Sequence, residues 1–248
     1  MASNKRVRIF AGPNGSGKST LFEAFHSEYK EKTGYFVNAD LIEKKLFDSS
    51  LIDLKTIGLL VTQEDLENFR LLTTSQSLIN KAIAEGHKIA IHIKENCIVD
   101  SSMDSHSYEG SFIAAFIRQL LIKQHKSFSY ETVMSHPSKV DEIKEMVQLG
   151  YQPYLYFVCI DKPEVNISRI SNRVSHGGHD VPKTKVKERY SRTLELLPLL
   201  LPFCYRAYLF DNSGKKNQLI AELYNGDLEL KTNNPPQWFI EYVLPHFS

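Results

Sequence analysis

The run GPNGSGKST, residues 12–20, has the spacing G-x-x-x-x-G-K-[ST], and its residue types suit a polyphosphate. Gly12, Gly15 and Gly17 let successive backbone N–H groups turn into one concavity, with Pro13, Asn14 and Ser16 completing the loop. A helix that starts here adds its partial positive charge. Lys18 has the reach for β- and γ-phosphates, Ser19 closes the motif with a hydroxyl placed for Mg²⁺, and Thr20 follows it. The sequence therefore predicts a nucleoside triphosphate site.

Three carboxylates fall at expected strand ends, where ligands of open parallel sheets collect. Asp40 closes FVNAD and has two readings: a general base for an attacking hydroxyl, or the N-cap of a helix over 41–47. Glu131, in SYETVMS, ends the strand expected beside the phosphate loop. It would orient Mg²⁺ through water or hold an acceptor; the alternative is a solvated strand end. Asp161 precedes Lys162-Pro163 and is read as a cap of the helix that follows.

Residues 167–193 carry seven Lys or Arg against two acids, in a chain whose formal net charge is only +1. Arg169 and Arg173 stand four apart, and Arg189 and Arg192 three apart, so each pair shares a helix face. A hinge at Gly177-Gly178 would bring both faces over one triphosphate, making about 172–192 a lid whose arginines neutralise transferred charge. Lys183, Lys185 and Lys187 read as solvated surface. His176 and His179 have no carboxylate or cysteine cluster beside them, so turn or phosphate contacts fit them better than a metal.

These residues need a scaffold. VRIFAG (7–12), YFVNAD (35–40), KSFSYET (126–132), YLYFVCID (154–161) and RAYLFDNS (206–213) read as five strands. Helical patterns at 111–125, 137–149, 163–174 and 183–197 separate most of them. The expected fold is α/β: a mostly parallel five-stranded central sheet, flanked by helices in three layers, of the P-loop kinase type. The 45–105 region breaks the rhythm, with helical patterns near 41–47, 51–59 and 63–85 and a strand or hairpin signal at Ile89, Ile91 and Ile93. It is read as an insertion on the acceptor side of a single domain spanning 1–248. The tail predicts a short strand and a terminal helix begun by Pro235-Pro236.

Composition agrees: 42% hydrophobic and 24% charged residues describe a soluble globule with ample core. Three cysteines, Cys97, Cys159 and Cys204, without C-x-x-C spacing, suit reduced thiols in the cytoplasm. The first residues hold too short an apolar run for a signal peptide, and LELLPLLLPFC (194–204) is cut by Pro198 and Pro202, short of a membrane span.

Taken together, GPNGSGKST, NADLI, SYETVMS, the long run GYQPYLYFVCIDKPEVNISRISNRVSHGGHDVPKTKVKERYSRTLELLP and FDNS resemble the zeta-toxin family of P-loop kinases, in the family's order. The resemblance implies ATP (or GTP) and Mg²⁺, with the 3′-hydroxyl of UDP-N-acetylglucosamine as acceptor and a separate antitoxin chain as partner. By motif position it implies Lys18 and Ser19 on phosphate and Mg²⁺, and Asp40 as general base. Glu131 falls near acceptor and metal, and Arg173, Arg189, Arg169 and Arg192 near the transferred charge. The family's ETTLS stands here as ETVMS, with Val133 in place of a threonine. Two other functions remain open. One is a polynucleotide or nucleoside 5′-hydroxyl kinase, which requires a basic, aromatic-lined channel; the sequence has no second basic cluster comparable to 167–193. The other is a non-catalytic ATP-binding regulatory or toxin–antitoxin module. Neither a membrane nor a nucleic acid is an expected partner.

Overall fold

The segment KRVRIFA forms strand β1 (Lys5–Ala11), buried at every residue from Val7 on, as befits a strand covered on both faces. The chain passes through the glycine loop into α1 (Lys18–Glu28) and a short α2 (Lys30–Thr33). Next come β2 (Tyr35–Val37), α3 (Ala39–Ser49), β3 (Leu51–Asp53), α4 (Gln63–Arg70), α5 (Thr73–Ala84), β4 (Ile91–Lys94), β5 (Cys97–Asp100) and α6 (Ser107–Lys123). The remainder is β6 (Phe128–Thr132), α7 (Ser138–Gln148), β7 (Tyr151–Cys159), α8 (Pro163–Val174), α9 (Lys183–Leu200), β8 (Arg206–Asp211), β9 (Gln218–Tyr224), β10 (Asp227–Leu230) and α10 (Gln237–Tyr242). This computed structural model describes residues 5–102, 107–175 and 181–247. Contacts divide the chain into two compact units: one comprises everything up to Gly34 and from Ser129 onward, the other Tyr35–Phe128. The segment expected as an insertion at 45–105 lies inside the second unit.

In the first unit the strands run in the order β10–β9–β8–β7–β1–β6. β7 pairs in parallel with β1 and with β8. Four of the five expected central strands are here, as β1, β6, β7 and β8; β10 is the short strand expected in the tail, and β9 is additional. β9 pairs antiparallel with β8, and β10 with β9. Asn225 and Gly226, at φ 50° and 88°, make the two-residue turn between them.

Alternate residues of these strands face opposite layers. Phe10, Tyr156 and Tyr208 stack across β1, β7 and β8 at 4.8 and 5.1 Å. Phe22 and Phe25 of α1 cover them, 5.1 Å from Phe10 and 4.9 Å from Tyr156. On the other face Phe157 meets Trp238 of α10 at 5.7 Å. Ser129 donates from its buried hydroxyl to the carbonyl of Thr33, which ties together the points where the chain leaves this unit and returns to it.

Asp161 does not cap α8, whose N-cap is Lys162 with no side-chain bond. Its Oδ1 accepts instead from the backbone N–H of Trp238 at 3.2 Å, so it caps the distant α10. Pro163 has no N–H to offer at the first position of α8, whereas the start of α10 does need an acceptor. Asp211 Oδ1 accepts from the Trp238 indole at 3.0 Å.

The second unit has its own antiparallel sheet, β3–β5–β4. Glu95 and Asn96, at φ 51° and 65°, form its hairpin turn, as the alternating isoleucines predict. The helix expected over 51–59 is absent. Ile52 pairs with Ile98 in β3, and only Leu54–Ile57 turn, as a 3₁₀ stretch. The helical pattern 63–85 is two helices. Ser75 and Gln76 side chains take the carbonyls of Leu72 and Arg70, at 2.9 and 2.6 Å, and stop α4. Phe69 of α4 packs on Phe112 and Phe116 of α6. No helix among the described residues is long and apolar enough to cross a membrane.

Candidate functional site

The glycine loop joins the buried end of β1 to a helix, so its position is fixed at both ends. α1 begins at Lys18 after Gly17, which offers no side chain to the first N–H groups of the helix. Lys18 is 7% exposed, and its Nζ donates to the Pro13 carbonyl at 3.0 Å. The same ammonium lies 3.8 Å from Glu131 Oε1. The Ser19 hydroxyl donates to Glu131 Oε2 at 2.9 Å. β6 therefore delivers Glu131 to the first turn of α1, and one carboxylate touches both expected ligand-binding side chains. Gly12 and Pro13 are buried, while Thr20 is exposed beyond the turn. Within the loop, Asn14 Oδ1 and Ser16 Oγ are buried with no hydrogen-bond partner, an arrangement that leaves polar atoms for a ligand.

Ser19 and Glu131 together offer two hard oxygens. Mg²⁺ is held by such a small protein set when phosphates and water supply the rest. Among the described residues there is no larger group of His, Cys, Asp or Glu able to hold a metal.

Asp40 belongs to the second unit. The strand before it ends at Val37, and the residue that caps α3 is Asn38, whose Oδ1 accepts from Leu41 N at 3.1 Å. Asp40 lies in the first turn of α3 with its side chain exposed. The N-cap reading of Asp40 is thus corrected: the asparagine two residues earlier has the extended backbone a cap needs, at φ −137°, ψ 124°.

The four arginines differ in what holds them. Arg169 is half-buried, and its Nη2 donates to the Asn212 carbonyl at 3.0 Å. Arg173 is exposed near the end of α8. On α9, Arg189 is half-buried and Arg192 exposed, the latter paired with Glu188 at 2.9 Å. Lys183, Lys185 and Lys187 are all exposed, as expected, and Lys187 pairs with Glu164 at 2.8 Å. His176, Gly177, Gly178 and His179 lie outside the described residues, and with them the expected lid hinge.

Two residues at the loop escaped the sequence reading. Asn166 of α8 and Asn212, just after β8, each donate a side-chain amide to a loop carbonyl. Asn212 stands inside FDNS, a strand-end position; Asn166 carries no local signal, because only the packing of α8 on the loop selects it.

A family model described as Zeta toxin matches residues 93–198, a span that includes Glu131 and the four arginines and leaves out the phosphate loop. An uncharacterized protein of Haemophilus influenzae is 36% identical over 69 residues, which are 28% of this chain and 49% of that protein. The match thus takes in about half of the relative. Among solved structures, the AvrRxo1-ORF1:AvrRxo1-ORF2 complex with sulphate ions aligns with a TM-score of 0.61 at 13% identity, over all of this chain and 66% of that one. Its form with ATP aligns at 0.57 and 14%, over 93% of this chain and 61% of that one. The chain spans slightly under two thirds of these structures, and at such identities the likeness is one of fold. The zeta-toxin resemblance carried by the motifs is borne out.

Proposed function

We propose that this chain, with its zeta-toxin match and P-loop kinase fold, is a phosphotransferase that moves the γ-phosphate of ATP onto a hydroxyl of a small acceptor. The observation that carries the reading is the contact of Ser19 with Glu131 at 2.9 Å, with Lys18 3.8 Å from the same carboxylate. A carboxylate at the loop's hydroxyl suits Mg²⁺-bound phosphates, which phosphoryl transfer requires.

In this reading the backbone N–H groups of Asn14–Thr20 cradle the phosphates, and Lys18 reaches the β- and γ-phosphates. Mg²⁺, held through Ser19 and Glu131, supplies neutralising charge when bound. Asp40 takes the proton of the attacking hydroxyl. Arg173 and Arg189 stabilise charge on the phosphoryl group in flight, and Arg169 and Arg192 contribute to nucleotide binding. The acceptor implied by the family resemblance is the sugar 3′-hydroxyl of UDP-N-acetylglucosamine. A separate antitoxin chain fits the same reading, since the AvrRxo1 structures are themselves two-component complexes. Three free cysteines are at home in the reducing cytoplasm, where ATP is also found.

The test is transfer of label from γ-labelled ATP to UDP-sugars, nucleosides and oligonucleotides, with Lys18→Ala as the blank. Label on a UDP-sugar is the expected result. Label only on oligonucleotides, or on nothing, overturns it.

A further inference from the structure

We infer that Asn166 and Asn212 are positioning residues that set the phosphate loop's amides for their ligand, an inference that rests on the proposed reading of this site. Asn166 Nδ2 donates to the carbonyl of Asn14 at 2.6 Å. Asn212 Nδ2 donates to the carbonyl of Ser16 at 2.8 Å. No peptide bond among the described residues is cis. In a planar trans peptide the C=O and the following N–H point in opposite directions. Holding the Asn14 carbonyl on one side therefore aims the Gly15 N–H to the other, and holding the Ser16 carbonyl does the same for Gly17. The two asparagines grip alternate carbonyls from outside the loop and so turn alternate amides inward.

Both holders are close-fitting. A Cβ on Gly15 would stand 2.8 Å from the Asn166 carbonyl, and one on Gly17 would stand 2.5 Å from Asn212 Nδ2. Their glycine character thus serves the approach of these partners as well as the backbone angles, at φ 74° and 105°. Asn166 is wholly buried, and its Oδ1 has no partner. Burying an amide with half its capacity unused is unfavourable for the fold, so the residue's contribution lies in the one bond it makes. Asn212 is itself fixed: its N–H donates to the Cys159 carbonyl at 2.8 Å, and its carbonyl accepts from Arg169 at 3.0 Å. Neither asparagine touches the phosphates in this scheme; each acts through a loop peptide.

The experiment uses inorganic tripolyphosphate with Mg²⁺, which reads the loop without base or sugar, titrated into the full chain by calorimetry. Asn166→Leu and Asn212→Leu keep the number of heavy atoms and the branching at Cγ and remove the donor. Each is expected to weaken tripolyphosphate about tenfold, the worth of one oriented bond, and to raise KM for ATP more than it lowers kcat. The ligand-free melting temperature should stay within a few degrees, and for Asn166→Leu it should not fall, since an unsatisfied buried oxygen goes with it. Asn212→Gln, which keeps the amide at a half-buried position, should recover part of the loss. Leu variants that bind tripolyphosphate within twofold of the wild type overturn the inference. A wild type that fails to bind tripolyphosphate overturns the underlying reading, so the two failures are distinct.

Discussion

The Ser19 hydroxyl and the Glu131 carboxylate meet at 2.9 Å, although 112 residues separate them. Strand β6 brings an acid to the first turn of α1. On the proposed reading, Glu131→Gln removes the charge and keeps the shape. The Mg²⁺ concentration for half-maximal transfer should rise about 10–100-fold, while unfolding by urea is unchanged. A transfer assay across a Mg²⁺ series checks this.

Asp40 and Asn38 separate chemistry from folding. Asp40 is exposed and makes no cap, so on the proposed reading Asp40→Asn should reduce kcat about 10²–10⁴-fold with little change in stability. Asn38→Ala should cost about 1 kcal/mol, the usual worth of an N-cap. Urea titration and turnover, measured on both variants, would show the two effects on different residues.

Arg189 and Arg192 sit one turn apart on α9 and should behave differently. Arg192 is committed to Glu188 in solvent, a pair worth about 0–1 kcal/mol. On the proposed reading Arg189→Ala should lower kcat about 10²–10³-fold, and Arg192→Ala, with its charge already paired, by far less. Equal losses in steady-state rate would place the transferred charge elsewhere on the helix.

The buried thiols predict a weakening at high pH. Burial pushes the thiols of both Cys159 and Cys204 well above their ordinary range. In the unfolded chain they ionise near about 8.5, so above that pH the unfolded state has lost protons that the native state keeps. Stability is then complete below about pH 8.5 and falls as pH rises, by up to about 1.4 kcal/mol per pH unit for each thiol. Urea midpoints at pH 8 and 10 should differ in the wild type and less so in Cys159→Ala. Cys97, only half-buried, should be the one thiol to react readily with a maleimide in the native protein.

Trp238 ties α10 to the sheet through two carboxylates, Asp161 and Asp211, and is 2% exposed. Trp238→Ala should cost about 3–5 kcal/mol, and Trp238→Phe less, since it keeps the packing and the backbone bond to Asp161. Denaturant midpoints decide.

How much of this was legible in the sequence depended on the range of the interaction. The phosphate loop, its strand and its helix are local, and the expected bounds of α8 match those found, at 163–174. Glu131 was legible because a carboxylate at a strand end has few neighbours to choose from. β9 was legible too and was missed: Asn225-Gly226 between QLIAELY and DLEL is the pattern of a tight hairpin. Several other misreadings share a cause in partners remote in sequence. Asp161 caps a helix 77 residues away. Leu51–Asp53 is a strand because β5 pairs with it. Asn166 and Asn212 matter through carbonyls of a loop more than 150 residues earlier. The helix break at Leu71–Leu72 is local, but it lies in side-chain bonds that apolar periodicity does not register.

The bond from Ser129 to the Thr33 carbonyl closes the first unit at the point where the chain departs for residues 35–128 and comes back. That excursion has a sheet and an aromatic core of its own. Such a layout resembles a cassette spliced between two clasped ends. Because the excursion also carries Asp40, any change of that block changes the proposed base, while the clasp stays within the first unit.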